Sequence, residues 1–527
     1  MFGTDFAVFN DGLMRGAVAA PDEAAWLKIV VLGVYALVLF FLWLYGIHRY
    51  HVIWMYRRNR ANPPVPLAPY AEEDLPLVTV QLAVFNEMYV VERLIDSVCA
   101  LDYPSDRLQI QVVDDSTDET RDIVAAHVAA WQARGVDIEQ IHRTNRSGFK
   151  AGALENGLKT AKGEFIVMFD ADFVPPSDFI RRQIHHFSDP KVGWVQARWA
   201  HLNENHSLLT RMQAIFLDGH FVLEHTGRQR SGRFFTFSGT AGTWRKSTIA
   251  DAGGWQHDTL VEDCDLSYRA QLRGWRGVYL VDQAVPAELP VDMNGFKSQQ
   301  HRWAKGFIQA MKKLLPTIWR SPNATFSQKV EATFHLTNNL TYLGMVALCV
   351  LMMPAMYYRS QMVAGPWAIA FDLSLFLGAT VSVLSFYATA EREIDRAWWK
   401  KLHLMPLLMA MGMGMALNQS KAVLEAFFNQ ESPFVRTPKY SVDGEKRRKA
   451  EWAQKKYKAA KNLMPLLDLF FAFYFLMIVA YSIWQKLWFS VPFMGLFGWG
   501  FAYVGWMSVA QARVAKAAAA APELETA

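Results

Sequence analysis

The chain has 527 residues, of which 52% are hydrophobic and 20% are charged. A chain this apolar is unusual for a soluble protein, so membrane-spanning segments are expected. The net charge of +5 is small for the length and gives no indication of nucleic-acid binding. The three cysteines, Cys99, Cys264 and Cys349, form no zinc-binding or disulfide pattern. This argues against a disulfide-stabilised secreted domain and favours reduced thiols in a cytoplasmic one.

The first apolar segment covers residues 27–47, and its 21 residues are enough to cross a bilayer as a helix. Residues 1–24 hold four acids and one arginine, so they lack the basic start of a signal peptide. Arginines follow the segment but hardly precede it, which places the N-terminus outside and the next domain in the cytoplasm. We therefore expect an uncleaved transmembrane helix within 1–60 and a proline-rich linker at 61–77.

Short β-type segments then alternate with helical ones. Residues 78–84, 108–114 and 164–170 have the pattern of short strands. Helical spacing follows the first two, and the third runs into acidic residues. This alternation predicts an α/β domain with a mostly parallel, Rossmann-like sheet, which we assign to 78–320. Such sheets bind ligands beyond the carboxyl ends of their strands. Here those ends carry a polar set: Asn86, Glu87, Asp114, Asp115, Asp170 and Asp172.

The second half of the chain is again apolar. Four segments are long enough to span a membrane: 333–357, 369–390, 463–483 and 487–508. The stretch 298–320 mixes basic and aromatic residues, so we expect an interfacial helix at the end of the catalytic domain.

A basic loop at 429–461 holds ten Lys and Arg residues against four acids, which predicts a cytoplasmic position. The chain then needs an even number of crossings before this loop, so 403–428 is expected to lie in the interface. The alternative is a sixth span. The predicted organisation is membrane and interfacial helices at 321–428, the loop at 429–461, further membrane helices at 462–510 and a tail at 511–527.

The sequence FDADF at 169–173 places Asp170 and Asp172 at a predicted strand end. Two carboxylates on either side of one small residue suit Mg²⁺ or Mn²⁺, which usually keep phosphate oxygens of a substrate among their ligands. A solvated acidic turn is the alternative for a motif this short.

Two other strand ends and one helix start suit a nucleotide. Glu87, Asp114 and Asp115 offer acceptors to a nucleobase or ribose, although the residues after Asp115 would equally serve as a helix cap. Lys150 precedes a predicted helix, where a phosphate is favoured by the helix dipole. A surface lysine is the alternative.

Residues for the chemical step come from two further motifs. LVEDCDLSYRA at 260–270 offers Asp263 as a general base, although acids in a first helical turn also stabilise any helix. In QQHRWAKG at 299–306, the Arg302 guanidinium suits a diphosphate and the Trp303 indole suits a sugar ring. FVRTPK at 434–439 has the character of a mobile loop that could close over a donor. An interfacial anchor and an ordinary linker are the respective alternatives.

Together these segments resemble the inverting family 2 glycosyltransferases, above all the plant cellulose synthase-like glucomannan and mannan synthases and the xyloglucan-backbone glucan synthases. The resemblance covers roughly 78–320 and the segment near 434. It implies a glycosyltransferase A-type domain, a bound Mg²⁺ or Mn²⁺ ion, and a polymer channel made by the membrane helices. By this resemblance Glu87 and Asp115 contact the nucleoside, and Lys150 lies near the phosphates.

The same resemblance assigns the remaining residues. Asp170 and Asp172 form the metal motif, and Glu262 and Asp263 match the last two letters of a Thr-Glu-Asp motif in which Val261 replaces threonine. The Gln-x-x-Arg-Trp motif of processive members is matched by Gln299, Arg302 and Trp303, and the gating loop by Phe434, Thr437 and Lys439.

The resulting prediction is a processive β-glycosyltransferase of the cell (inner) membrane with a cytoplasmic catalytic domain. It would polymerise a hexose from UDP-glucose or GDP-mannose, by β-1,4 linkage, and pass the growing glycan through the bilayer, with export partner proteins as further candidates. A non-processive enzyme that makes a glycolipid is the first alternative. A transporter or binding scaffold with an inactive domain is the second.

Overall fold

The structure is a computed structural model, and it describes residues 25–360, 370, 373–431, 437–441 and 464–520. Its centre is a seven-stranded sheet with the strand order β3-β2-β1-β4-β6-β5-β7. The strands are β1 (Val78–Val84), β2 (Leu108–Asp114), β3 (Ile138–His142), β4 (Phe165–Asp170), β5 (Val192–His201), β6 (Gly242–Arg245) and β7 (Arg276–Ala287).

Helices cover the sheet and form the membrane part. Those of the sheet domain are α2 (Val91–Cys99), α3 (Thr120–Gln132), α4 (Phe149–Leu158), α5 (Phe179–Ile184), α6 (Leu208–Asp218), α7 (Thr226–Arg230), α8 (Lys246–Asp251), α9 (Glu262–Leu272) and α10 (Met293–Arg320). The others are α1 (Ala25–Asn59), α11 (Phe326–Thr337), α12 (Thr341–Ser360), α13 (Ser382–Ile394), α14 (Leu404–Gly414), α15 (Ala416–Phe427), α16 (Met464–Trp484) and α17 (Val491–Ala520). A π-helix, Gly219–His225, joins α6 to α7, and a second one, Phe376–Val381, precedes α13.

The predicted fold class is confirmed. Strands β1, β2, β3 and β4 pair in parallel, as do β5 and β7. The short strand β6 runs antiparallel to both β4 and β5 and so joins the two parallel groups. Because the first four strands share one direction, their carboxyl ends meet at a single edge of the sheet.

Buried polar side chains explain why polar and apolar residues alternate along β1 and β2. Gln81 and Gln111 are fully buried and lie on one face of the sheet. The Gln81 amide donates to Oε1 of Gln111 at 3.0 Å, and the Gln111 amide donates to the Thr160 hydroxyl at 2.9 Å. A buried polar group is tolerated when it is hydrogen-bonded, so these positions fix the register of neighbouring strands without facing solvent.

Five helical segments of the described chain are long and apolar enough to cross a membrane, and they identify a membrane protein. They cover Trp26–Asn59, Phe326–Arg359, Leu373–Ile394, Met464–Trp484 and Val491–Arg513. These are the regions where the sequence predicts spans. The stretch expected at the interface, 403–428, forms the two shorter helices α14 and α15. Its position relative to a bilayer stays a prediction.

A buried ion pair fastens α10 to the membrane helix α16. The Lys297 ammonium donates to Oδ2 of Asp468 at 2.7 Å, and both side chains are almost wholly buried. The carbonyl oxygen of Lys297 also accepts a hydrogen bond from the Asn418 amide of α15 at 3.0 Å. A charge buried next to membrane helices is costly unless it is paired, so the pair fixes where α10 sits against the membrane part.

We expect Lys297→Met to destabilise the protein by about 3–5 kcal/mol, because Asp468 would keep a buried charge without its partner. Thermal unfolding of the detergent-solubilised protein measures the change. The double variant Lys297→Met, Asp468→Leu removes both charges and should recover most of the loss. A single variant as stable as the parent would show that the pair contributes nothing to folding.

Candidate active site at the carboxyl edge of the sheet

A cavity of about 680 Å³ opens at the carboxyl edge of β1, β2 and β4 and continues between the membrane helices. Its wall contains nearly every side chain that the sequence predicts for the site. These are Glu87, Asp115, Lys150, Asp170, Asp172, Glu262, Asp263, Gln299, Arg302, Trp303, Thr437 and Lys439. The cavity is large enough for a nucleotide-sugar together with part of an acceptor.

Asp170 and Asp172 each bind a lysine ammonium from another element. Lys150 at the start of α4 donates to Oδ1 of Asp170 and, at 2.9 Å, to the carbonyl oxygen of Gly239. The amide N–H of Asp170 donates to the Thr240 hydroxyl at 2.8 Å, which holds the end of β4 in place. Burial alone would lower the pKa of Lys150, but nearby carboxylates outweigh it and raise that pKa, so the ammonium stays charged.

Asp172 is paired with Lys439, which lies far away in the sequence. The Lys439 ammonium donates to Oδ2 of Asp172 at 2.6 Å and to the carbonyl oxygen of Glu288 at 2.9 Å. The backbone N–H of Tyr440 donates to the Glu288 carboxylate at 2.8 Å, so this carboxylate holds the short segment 437–441 against the sheet. Thr437 is buried in the same place, whereas Phe434 lies outside the described residues.

The predicted nucleoside contacts divide into two groups. Asp115 is buried at the cavity wall, where Arg143 donates to both of its oxygens at 2.8 and 2.5 Å. Asp114 does not reach the cavity: its carboxylate accepts from the Ser116 N–H and the Gln140 amide, both at 2.8 Å. Asp114 therefore shapes the turn after β2, which makes a direct donor contact of this carboxylate difficult.

The first turn of α9 presents Glu262 and Asp263 to the cavity. Oδ1 of Asp263 accepts a hydrogen bond from the Cys264 N–H at 2.8 Å. Burial, followed by the negative charge of Glu262, raises the pKa of Asp263 to about 7. A carboxyl group with this pKa takes up a proton readily near neutral pH, which suits a general base.

Helix α10 contributes Gln299, Arg302 and Trp303 to the same cavity. Burial lowers the pKa of the Arg302 guanidinium, and four carboxylates act in the opposite direction: Glu262, Asp170, Asp263 and Asp172. One guanidinium is thus within electrostatic reach of both acidic motifs. The Trp303 ring lies 6.4 Å from the Trp199 ring, measured between centroids, so two indoles line the wall beyond Asp263.

The two acids of FDADF suit a divalent cation only together with ligands from a substrate. Among the described residues, no group of three or more His, Cys, Asp and Glu side chains is arranged to hold a metal ion. Asp170 and Asp172 supply hard oxygen atoms, and a diphosphate would supply others. The residues therefore fit an ion that arrives with a nucleotide better than one held by protein alone.

At its membrane end the cavity is lined by methionines of α12, α14 and the α14–α15 junction. They are Met345, Met409, Met411, Met413 and Met415. Aromatic and polar side chains such as Tyr342, Asn339 and Phe497 share this part of the wall.

Comparison with known proteins identifies the family. Residues 76–306 match the model of "Glycosyltransferase like family 2". The chain is 44% identical over 266 residues to glucomannan 4-beta-mannosyltransferase 2 of Arabidopsis thaliana, and the aligned region covers 50% of each chain. It is 35% identical over 384 residues to the probable glucomannan 4-beta-mannosyltransferase 9 of Oryza sativa subsp. japonica, and the aligned region covers 70% of each chain. The chain belongs to glycosyltransferase family 2.

A solved structure supports the fold of this family 2 member. The mannosyltransferase PcManGT from Pyrobaculum calidifontis, in complex with GDP-Man and Mn²⁺, superposes with a TM-score of 0.52 at 19% identity. The match covers 77% of the present chain and 100% of that structure. The matched region is about half the length of the Arabidopsis relative, at 50%, and of the probable glucomannan 4-beta-mannosyltransferase 11 of Oryza sativa subsp. japonica, at 48%.

Sequence reasoning missed several residues of the candidate site. Arg143 pairs with Asp115, and Glu288 holds the 437–441 segment. Neither residue stands in a motif that indicates the site. Gly239 lies in SGTAGTWR at 238–245, a segment to which the sequence alone assigns no role. Its φ of +75° lies in the left-handed region, and a Cβ built there would be 3.1 Å from Oδ2 of Asp263.

We expect Gly239→Ala to lower turnover by about tenfold or more, because a displacement of about 1 Å at reacting groups costs up to about 100-fold. It should also cost about 1–2 kcal/mol of stability, since φ is positive. Gly232→Ala is the matched control: its φ is +72° and nothing lies within 4 Å of its added Cβ. Steady-state kinetics and thermal unfolding of both variants separate the two effects. Equal loss of turnover in both would contradict a role for the space beside Asp263.

Proposed function

We propose that the chain is a processive, inverting hexosyltransferase that builds a β-1,4-linked glycan from a nucleotide-sugar, with GDP-mannose as the first candidate donor. The observation that carries the proposal is one cavity that joins the acids of β4 and α9, the Arg302–Trp303 pair and the membrane helices. The curated relatives named above are glucomannan 4-beta-mannosyltransferases, which supports mannose and a 4-hydroxyl acceptor.

In this proposal Asp263 accepts the proton of the acceptor hydroxyl, and the oxygen attacks the anomeric carbon from the side opposite the leaving group. The bond from that carbon to the nucleotide diphosphate breaks, and the configuration inverts. Arg302 and Lys150 offset the charge that develops on the diphosphate. Trp303 stacks on the acceptor sugar and orients it.

Asp170 and Asp172 would hold Mg²⁺ or Mn²⁺ together with the diphosphate, and the ion would stabilise the departing negative charge. Glu87 and Asp115 would face the nucleoside, and Gln299 would contact the donor. Thr437 and Lys439 belong to the proposed gating segment. We place the catalytic domain in the cytoplasm and the protein in the cell (inner) membrane, because basic residues follow the first span and fill the loop at 429–461.

The test is the product. The purified protein is incubated with GDP-mannose or UDP-glucose, each with Mg²⁺ or Mn²⁺, and the product is digested with β-1,4-mannanase or β-1,4-glucanase. We expect an insoluble polymer that mannanase degrades. A single solvent-extractable glycolipid would instead establish the non-processive alternative, and no nucleotide release from any donor would contradict a transferase.

A further inference from the structure

The π-helix Gly219–His225 places a second polar cluster on the cavity wall, away from the acids of the proposed chemical step. Its side chains His220 and Glu224 line the cavity together with Arg228 of α7. An inserted π-turn is rare and occurs often at functional sites, because it changes which side chains of a helix share one face. Here it brings a carboxylate and an imidazole to the same wall as Trp199 and Phe221.

One side of Glu224 is fixed by the protein and the other faces the cavity. Its Oε2 is bonded to Nδ1 of His220 at 2.8 Å and accepts from the Arg228 guanidinium at 3.1 Å. Within the part of the chain that the structure describes, neither Oε1 of Glu224 nor Nε2 of His220 has a protein hydrogen-bond partner. The side chains of Glu224 and His220 are 25% and 29% exposed and both line the cavity, so a ligand in the cavity can contact them.

A second layer holds this pair in place. Arg228 is 3% exposed and also donates to Oε1 of Glu331 at 3.0 Å, and Glu331 is bonded through Oε2 to His48 of α1 at 2.9 Å. Glu331 is equally buried and does not line the cavity. The ionised state of Glu224 is favoured by Arg228 and His220, which outweigh the effect of burial and lower its pKa well below the usual value.

Aromatic rings complete the wall between this pair and the proposed reaction centre. Trp199 packs between Phe221 and Trp303, with ring centroids 4.9 and 6.4 Å away. The indole N–H of Trp199 is buried and has no hydrogen-bond partner among the described residues. Aromatic faces next to a carboxylate and an imidazole match a pyranose ring, which has apolar C–H faces and hydroxyl groups at its edge.

We infer that Glu224, His220 and Trp199 form a binding subsite for the acceptor sugar that follows the one on Trp303. The ligand class is a β-linked pyranoside whose neighbouring hydroxyls donate to Oε1 of Glu224 and to Nε2 of His220, because the Nδ1–H of His220 is already bonded to Glu224. The subsite gives the acceptor two points of attachment, so a chain of two or more sugars is held more tightly than one sugar. This inference rests on the proposed function for the identity of the ligand, but not for the geometry of the pair.

The test uses the full-length protein in detergent and two probes, β-1,4-mannotriose and GDP, with calorimetric titration of each. We expect Glu224→Gln to weaken mannotriose binding by about tenfold, since a hydrogen bond to a charged acceptor is stronger than one to a neutral amide. Binding of GDP should stay within about twofold. The matched control is Glu331→Gln, which disturbs the same Arg228 from outside the cavity and should leave mannotriose binding within about twofold.

Each outcome decides the inference. Unchanged mannotriose binding in Glu224→Gln would overturn it, as would an equal loss in Glu331→Gln, which would make the cluster structural only. A parent protein that binds GDP but no mannotriose would also overturn it. Mannotriose binding in a parent that releases no nucleotide from any donor would count against the proposed function and leave the subsite in place.

Discussion

Replacing Asp263 with asparagine is expected to lower glycosyl transfer by about three orders of magnitude while nucleotide affinity stays nearly unchanged. General base catalysis contributes about 10²- to 10⁴-fold, and asparagine keeps the size of the side chain but cannot accept the proton. Transfer is measured as nucleotide release with acceptor present, and donor binding by titration with GDP-mannose. Normal turnover by this variant would remove Asp263 as the base.

The pH dependence of the parent gives an independent check of the same residue. The base must be ionised, so kcat/KM should rise with pH through a midpoint close to the pKa of about 7. Glu262→Gln removes the neighbouring negative charge that helps to raise this pKa. The midpoint should therefore move to lower pH in that variant, whatever happens to the maximal rate. A midpoint that does not move would show that another group controls the profile.

Two substitutions that break the same ion pair are expected to change metal affinity in opposite directions. Asp172→Asn removes a proposed metal ligand, so Mn²⁺ binding should weaken by about tenfold or more and transfer should be largely lost. Lys439→Met removes the ammonium that donates to Asp172 at 2.6 Å, and Asp172 is then free to accept a metal ion. Mn²⁺ binding in the absence of nucleotide should tighten in this variant, by about tenfold.

Electron paramagnetic resonance of Mn²⁺ measures both affinities without relying on turnover. Both variants lose the ion pair between the 437–441 segment and residue 172, so a difference between them reports on the metal ligand itself. If both weakened Mn²⁺ binding equally, the Asp172–Lys439 pair would be a structural contact and not a competitor of the metal. Lys439→Met is also expected to slow polymer formation, because the proposed gating segment loses an anchor.

The position of the acids at the sheet edge was predictable. The alternation of strand and helix segments defined β1, β2 and β4, and the carboxyl ends of parallel strands lie at one edge of a sheet. Asp115, Asp170 and Asp172 accordingly line one cavity. The role of Asp114 was not predictable. Asp114 is the last residue of β2 and Asp115 follows it, and periodicity alone does not say which of two neighbouring acids at a strand end faces a ligand.

The features that escaped prediction depend on contacts between distant parts of the chain. Lys439 is 267 positions from Asp172, and Lys297 is 171 positions from Asp468. No local spacing signals such a pair, since the pattern around one partner says nothing about which distant residue it contacts. The π-helix around Glu224 is equally invisible, because one additional residue per turn leaves no distinctive hydrophobic pattern. The antiparallel strand β6 has only four residues, Gly242–Arg245, which is too short for a periodic signal.

The methionines at the membrane end of the cavity have a consequence for a protein that would let a glycan through a bilayer. Thioether side chains are flexible and bind water weakly, so they can pack around glycan chains of different width without holding them by fixed hydrogen bonds. When no glycan is present, an apolar constriction of this kind loses its water and resists the passage of ions. The same methionines would thus let the glycan slide past during synthesis and would block ion leakage across the membrane when no glycan is present.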